Sequence, residues 1–303
     1  SLHLIPSPRH LIRGLVGLFI MKSPNHLDLI VPTIKALKEM GGTATPAEIA
    51  KKVIELEKYS EEIQNETQKG DKYRTQLEYR LAWARTYMKN YLNAVEDKSR
   101  GLWTLTSDGF KLDISNPQKI IDIVSENKRK NSKVSKTNKK NNKIIKEDNG
   151  EEWKDDLLDI INNSSPESFE RLSKRILRES GCVDVNVVGG ANDKGIDGTA
   201  VLRWGLISFS VKFQCKRYGS SNITPKHVRE FRGALGHLDK GIFLTTSRFS
   251  TEASNEGVDP SKGKTIDLIN GDRLCELLRE YKLGIKEDKN NEVKIDKEFF
   301  QNI

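Results

Sequence analysis

Gly195-Ile196-Asp197-Gly198, followed after one strand and a turn by Phe213-Gln214-Cys215-Lys216, is the stretch on which the reading of this chain turns. Residues two apart on a strand share a face. A strand over 207–217 therefore points Gln214 and Lys216 one way and Phe209, Val211, Phe213 and Cys215 the other, into a core. If this strand pairs with the segment carrying Asp197, a carboxylate comes to lie beside the polar face. One carboxylate, one amide oxygen and one ammonium then converge on a small volume. That is the outline of a metal-and-water site, of a kind suited to phosphodiester chemistry.

Outward from this stretch, residues 151–282 read as one α/β domain. Trp153, Leu157, Leu158, Ile160 and Ile161 mark a helix, and Pro166 opens another that turns Phe169, Leu172, Ile176 and Leu177 inward and stops at Gly181. Val183 to Val188 alternates as a strand, a glycine-rich loop over 189–195 leads to Asp197, and strands are expected at 199–204 and 207–215. Thr224-Pro225 starts a helix, Gly241 to Thr246 is an apolar run suited to a buried strand, and Ser250 begins a further helix. A last strand at 265–269 and a helix to about 281 complete the order α-β-β-β-α-β-α-β-α, which fits a mixed β-sheet flanked by helices.

Residues 21–113 read as a separate, mainly helical unit. A helical period from Leu27 to Met40 stops at Gly41-Gly42, and Thr45-Pro46-Ala47-Glu48 carries the signature of a capping box with proline at the first helical position. A third helix near 73–92 interleaves Arg74, Arg80, Arg85 and Lys89 with Trp83 and Tyr87. Two short strands around a turn with Lys98, Arg100 and Gly101 form a hairpin. Three helices and a hairpin make the winged-helix plan, in which the third helix enters the major groove and the hairpin touches the backbone. Arg74, Arg80, Arg85, Lys89, Lys98 and Arg100 are the expected DNA contacts.

The remaining segments are expected to lie outside these domains. Residues 1–20 are read as a non-domain leader: Leu11 to Ile20 is apolar, but no small-residue cleavage site follows. Residues 114–150 are read as a flexible linker, because Lys128 to Lys146 is Lys, Asn and Ser with almost no apolar content. Residues 283–303 are read as a charged, loosely ordered tail. The net charge of +8 favours an anionic partner such as nucleic acid. Three cysteines without C-x-x-C spacing argue against a disulfide framework or a zinc ribbon and fit a reducing cytoplasm. No apolar run reaches the roughly 18–20 residues that span a bilayer.

The order of elements and residues resembles the Mrr-like branch of the PD-(D/E)XK nuclease superfamily. The match is carried by Phe169-Glu170-Arg171-Leu172, Asp193-Lys194-Gly195-Ile196-Asp197-Gly198, Phe213-Gln214-Cys215-Lys216 and Val228-Arg229-Glu230-Phe231-Arg232-Gly233-Ala234-Leu235. Residues 27–113 look like the winged-helix domain that precedes it in that family. The resemblance implies a restriction-endonuclease-like fold and hydrolysis of DNA with a divalent metal, most often Mg²⁺. Asp197 would be the metal-binding carboxylate, Gln214 would occupy the second acidic position and Lys216 would orient the attacking water. Glu170 would be the additional acidic residue, and the Cys215 backbone carbonyl a further metal ligand. The departure from the commoner motif is Gln214, which removes one negative charge near the metal.

The expected function is thus a methylation-dependent restriction endonuclease, acting on modified double-stranded DNA as a homodimer or DNA-assembled oligomer, in the cytoplasm. Two alternatives stay open at this level: a non-catalytic DNA-binding regulator, and a repair or recombination nuclease of the same superfamily.

Overall fold

The computed structural model describes residues 23–68, 73–98, 101–137, 151–187, 195–219, 221–287 and 293–303. In the N-terminal domain the described elements are α1 (Ile30–Glu39), β1 (Thr43–Ala44), α2 (Pro46–Glu57), α3 (Glu61–Asn65), α4 (Gln76–Leu92), β2 (Val95–Lys98), β3 (Leu102–Leu105), α5 (Ser107–Lys111) and α6 (Pro117–Thr137). Helix α1 stops where Gly41 and Gly42 take φ values of +79° and +90°. The capping box of α2 is formed: the Glu48 N–H donates to Thr45 Oγ1 at 3.3 Å, and the Thr45 N–H to Glu48 Oε2 at 2.8 Å. Strands β2 and β3 pair as the expected hairpin, and β1 adds on the free side of β3. Leu29, Ile34, Leu37, Ile49, Leu77, Leu81 and Met88 fill the core.

The expected linker is partly helix. Residues 117–137 form α6, which packs on α4 and buries Ile120 and Val124 in the N-terminal core. Ile120 and Val124, four apart and ahead of the Lys/Asn run, are enough to dock one helical stripe. The rest of that segment, 138–150, lies outside the described residues, as do the expected leader, Arg100 and most of the loop before Asp197.

The C-terminal domain runs α7 (Glu152–Asn163), α8 (Pro166–Glu179), β4 (Cys182–Val187), β5 (Gly198–Trp204), β6 (Ile207–Lys216), α9 (Pro225–Ala234), β7 (Lys240–Thr245), α10 (Thr251–Val258), β8 (Ile266–Ile269) and α11 (Gly271–Glu280). The sheet order is β4-β5-β6-β7-β8, antiparallel from β4 to β6 and parallel from β6 to β8. This is the mixed sheet that the sequence pattern implies. Leu177 of α8 packs with Val185, Ala200, Val211, Phe213 and Leu244 on one face. Val228 and Phe231 of α9 pack with Phe243, Ala253 and Ile266 on the other.

Residues 283–303 are not a loose tail. Strands β9 (Ile285–Glu287) and β10 (Val293–Ile295) pair antiparallel and lead to α12 (Lys297–Asn302). Leu283, Ile285 and Phe300 are buried against α7 and α11. High charge marked this segment as solvated, yet its few apolar residues all face one way and find a core.

The two domains meet through a buried charged contact. The Tyr73 ring inserts into the C-terminal core beside Leu157, Ile161 and Leu274. Arg74 pairs with Glu151 and Asp155, and Arg85 Nη2 donates to Glu151 Oε1 at 2.5 Å. Lys154 lies 2.8 Å from Asp272 and 2.6 Å from Glu276. Arg279 reaches Asp97 across the same boundary at 3.3 Å. Arg74 and Arg85 are only 4% and 2% exposed, which overturns their assignment as DNA contacts. Arg85 stands on α4 and Arg74 just before its N-cap Thr75, and both are answered by carboxylates of this chain.

Candidate active site

Asp197 sits at the entry to β5, where two glycines make the approach possible for different reasons. Gly195 has φ +80°, in the left-handed region that favours glycine. Gly198 has no room for a side chain: a Cβ there would lie 2.2 Å from Phe213 Cζ and 2.4 Å from the Asn186 carbonyl oxygen. The second contact is backbone and cannot rotate away. Gly198→Ala is expected to destabilise the fold by about 3 kcal/mol, read as a lowered urea midpoint.

The Asp197 N–H donates to the Phe213 carbonyl at 3.0 Å, and the Cys215 N–H donates to Asp197 Oδ2 at 2.6 Å. The carboxylate is thereby fixed to the backbone of the Gln-x-Lys strand, between the side chains that the sequence pattern groups with it. Glu170 approaches from α8. Burial, and then the Asp197 charge, push its carboxyl above the usual range. The side chain of Gln214 is buried beneath Gly195, whose Cβ, if present, would lie 3.1 Å from Gln214 Nε2. The sequence predicts a polar face here, but the structure covers part of it. Lys216 follows two residues along β6 and is half-buried. Burial, and then the Lys216 charge, hold His227 below the usual imidazole range.

Val211 and Phe213 are buried on the opposite face of β6, with Cys215 half-buried and Phe209 only partly covered. Burial pushes the Cys215 thiol well up; Ser173 opposes the shift and the charges of Asp197 and Glu170 add to it. The residue is therefore a source of a backbone carbonyl rather than of a thiolate. The residues here that could hold a hard divalent cation through oxygen are Asp197, the Gln214 amide and the Cys215 carbonyl, with the Glu170 charge felt at the same place. Among the described residues no three His, Cys, Asp or Glu side chains gather as a ready-made metal cluster.

Of the expected DNA contacts besides Arg74 and Arg85, Arg80 Nη1 donates to the Ser23 and Pro24 carbonyls at 3.0 and 2.6 Å, tying down the start of the described chain. Lys89 is exposed, its Nζ 6.0 Å from the Trp103 ring centroid. Lys98 is the last residue of β2.

Sequence reasoning missed the residues that hold the end of β6. Thr245 Oγ1 donates to the Lys216 carbonyl at 2.7 Å, and the Tyr218 N–H donates to Thr246 Oγ1 at 3.0 Å. Both threonines are fully buried. The signal is present, since two threonines ending an apolar strand must find hydrogen-bond partners inside. Ser173 is the one polar residue in the buried stripe of α8 and is legible in the same way.

A mixed five-stranded sheet with a carboxylate, an amide and a lysine at neighbouring strand ends is the architecture of a restriction-endonuclease domain. Residues 161–278 match the Mrr_cat family, described as restriction endonuclease, and residues 28–114 match the Mrr N-terminal domain. The chain belongs to the Mrr-like restriction endonucleases. It is 30% identical over 154 residues to the type IV methyl-directed restriction enzyme EcoKMrr of Escherichia coli K12. That alignment covers 48% of this chain and 49% of the relative, so the chain spans about half the length of the curated relative it matches. Two solved structures are also similar. One is the MspJI restriction endonuclease in complex with a 27-mer oligonucleotide, at TM-score 0.37 and 23% identity, covering 43% of this chain and 31% of that one. The other is the DNA modification-dependent restriction endonuclease AspBHI, at TM-score 0.37 and 24% identity, covering 42% and 35%.

Proposed function

We propose that this chain is a divalent-metal-dependent endonuclease that cuts modified double-stranded DNA, the N-terminal domain selecting the DNA and the C-terminal domain hydrolysing it. The observation that carries this reading is the Asp197 carboxylate, anchored at 2.6 Å to the backbone of the Gln214-Cys215-Lys216 strand and adjoined by Glu170. The pairing of the two Mrr-type domains in one chain supports it, as does the similarity to a methyl-directed restriction enzyme.

Asp197, the Gln214 amide oxygen and the Cys215 carbonyl would hold the cation, with Mg²⁺ the expected ion. When bound, such an ion lowers the pKa of a water and offsets charge on a phosphate. The chain's own groups do the rest. Asp197 supplies the negative charge that Gln214 lacks, and Glu170 adds the second. Lys216 donates from Nζ to the attacking water or a phosphate oxygen, orienting one and screening the other. Lys89, Lys98 and Arg100 are the basic positions left for phosphate contact by the N-terminal domain, with Arg80 at its entry segment. One such site serves one strand, so double-strand cleavage calls for a homodimer or DNA-assembled pair.

The test is cleavage of methylated and unmethylated plasmid by the purified full chain, with Mg²⁺ or with chelator. Nicking or linearisation confined to methylated plasmid with Mg²⁺ is the expected result. Equal DNA binding with and without Mg²⁺, and no nicking, would make the chain a non-catalytic regulator. Preferential cutting of branched DNA whatever its methylation would make it a repair nuclease.

A further inference from the structure

Asn162, near the end of α7, uses three groups at once. Its Nδ2 donates to the Tyr73 phenolic oxygen at 3.0 Å. Its Oδ1 accepts from Thr246 Oγ1 at 2.9 Å. Its backbone carbonyl accepts from Arg217 Nη1, a guanidinium that also donates to the Ser164 carbonyl. Each of these links leads somewhere specific. Tyr73 belongs to the N-terminal domain, Arg217 is the residue after Lys216, and Thr246 holds Tyr218, two residues beyond Lys216.

The polarity of the chain is determined by donor count. The Tyr73 hydroxyl donates its one hydrogen to Asp159 Oδ1 at 2.6 Å, so its oxygen is left to accept from Asn162. The Asn162 amide is thereby oriented, with its oxygen toward Thr246. Thr246 Oγ1 takes the Tyr218 N–H at 3.0 Å, and its own hydrogen goes to Asn162, with the Tyr218 carbonyl at 3.1 Å as its other acceptor. Reversing the amide would set Nδ2 against a hydroxyl hydrogen at one end and Oδ1 against a phenolic lone pair at the other. The two ends are buried, Tyr73 7% exposed and Thr246 0%, and Asn162 between them is half-buried. Anchoring both ends at buried groups restrains the chain, because water has little access there to replace a lost partner.

We propose that Asn162 is a positioning residue for Lys216, holding the end of β6 to Tyr73 so that docking of the N-terminal domain sets where the lysine stands. The proposal rests on the endonuclease reading above, because it assigns Lys216 a part in cleavage. It adds that cleavage depends on interdomain docking through one amide. A strand end released from Thr246 and Asn162 keeps its ladder bonds to β7 and the Thr245 bond to the Lys216 carbonyl but loses the restraint on Tyr218, and a shift of under an ångström at a reacting group is costly to rate.

The experiment uses the full chain with Tyr73→Phe, which removes only the phenolic oxygen, and Thr246→Val, which removes the inner hydroxyl. Thr246→Ser serves as the conservative variant. Hydrogen exchange of the 216–218 amides is read without DNA, and kcat and KM on a methylated duplex with Mg²⁺. Tyr73→Phe is expected to speed exchange at Tyr218 about 10-fold and to lower kcat about 10-fold with KM within about twofold of the parent. Thr246→Val should do at least as much, and Thr246→Ser should restore both readings. Unchanged exchange at 216–218 in Tyr73→Phe overturns the proposal, as does faster exchange with unchanged kcat. A parent chain that cuts no DNA defeats the endonuclease reading instead, and the exchange measurement still decides whether Tyr73 restrains the strand end.

Discussion

Asp197→Asn is expected to lower DNA cleavage by at least ~10²-fold while leaving the fold intact. The substitution is chosen from the geometry. Asp197 Oδ2 accepts the Cys215 N–H at 2.6 Å, and an asparagine oxygen can still accept it. Exchanging a charged acceptor for a neutral one costs about 1 kcal/mol, a small shift in the urea midpoint. What is lost is the negative charge. On the proposed reading Gln214 takes the second acidic position without a charge, which leaves Asp197 and Glu170 as the anions for a cation. Asp197→Ala should be equally inactive and less stable, since it leaves a partly buried N–H unpaired. Single-turnover cleavage and equilibrium unfolding read the two effects separately. Cutting near the parent rate by both variants would remove Asp197 from the site.

The second large effect lies at the domain boundary. Glu151→Ala is expected to destabilise the docked chain by about 3–5 kcal/mol. Glu151 is 7% exposed and receives Arg85 at 2.5 Å, Arg74 at 3.4 Å and Lys154 at 3.8 Å. Arg74 keeps Asp155 in the variant, and Lys154 keeps Asp272 and Glu276. Among the described residues Arg85 keeps only the Trp103 ring, 5.4 Å from its guanidinium carbon. A buried guanidinium without an anion is what makes the truncation expensive, more than the loss of the pair itself. Adding Arg85→Leu to Glu151→Leu should recover much of the loss, and a double-mutant cycle measures the coupling. Full additivity of the two single effects would rule out a direct coupling.

The same pair gives a pH dependence. Burial by itself would raise the Glu151 carboxyl, but Lys154, Arg85 and Arg74 outweigh it and hold the group down to about 2. A carboxylate depressed in the folded state adds stability above its unfolded value and loses it as pH falls through the folded one. The docked arrangement should therefore be insensitive to pH above about 5 and lose about 3 kcal/mol between roughly pH 5 and 2. In Glu151→Leu with Arg85→Leu, that acid-dependent part should be absent from urea titrations run across this range.

Arg74 and Arg85 also show how far sequence reading carries. Both read as part of one helix with aromatic neighbours and a hairpin beyond, a pattern that DNA-reading domains share with any charged helix face, although Arg74 lies just before the helix begins. The carboxylates that answer them lie 66 and more positions away, in a segment that reads by itself as the start of another helix. Local pattern has no access to such partners. Helix α6 and the β9–β10–α12 segment misled for a related reason. Their mean composition is polar, and only the few apolar side chains decide that they dock.

Several features were settled by the sequence alone. The capping box at Thr45, the glycine stops and the alternation of β6 are short-range, and each follows from backbone sterics or side-chain period. They are enough to order the elements of the mixed sheet and to align Gln214 with Lys216. The tertiary structure decided what required distant surfaces to meet. It fixed Asp197 on the Cys215 N–H, brought Glu170 beside it, buried Gln214 under Gly195, and took Arg74 and Arg85 into a contact between domains. The physical reason is the same in each case. A polar group's role depends on which partner replaces its water, and that partner is chosen by packing between segments far apart in the chain.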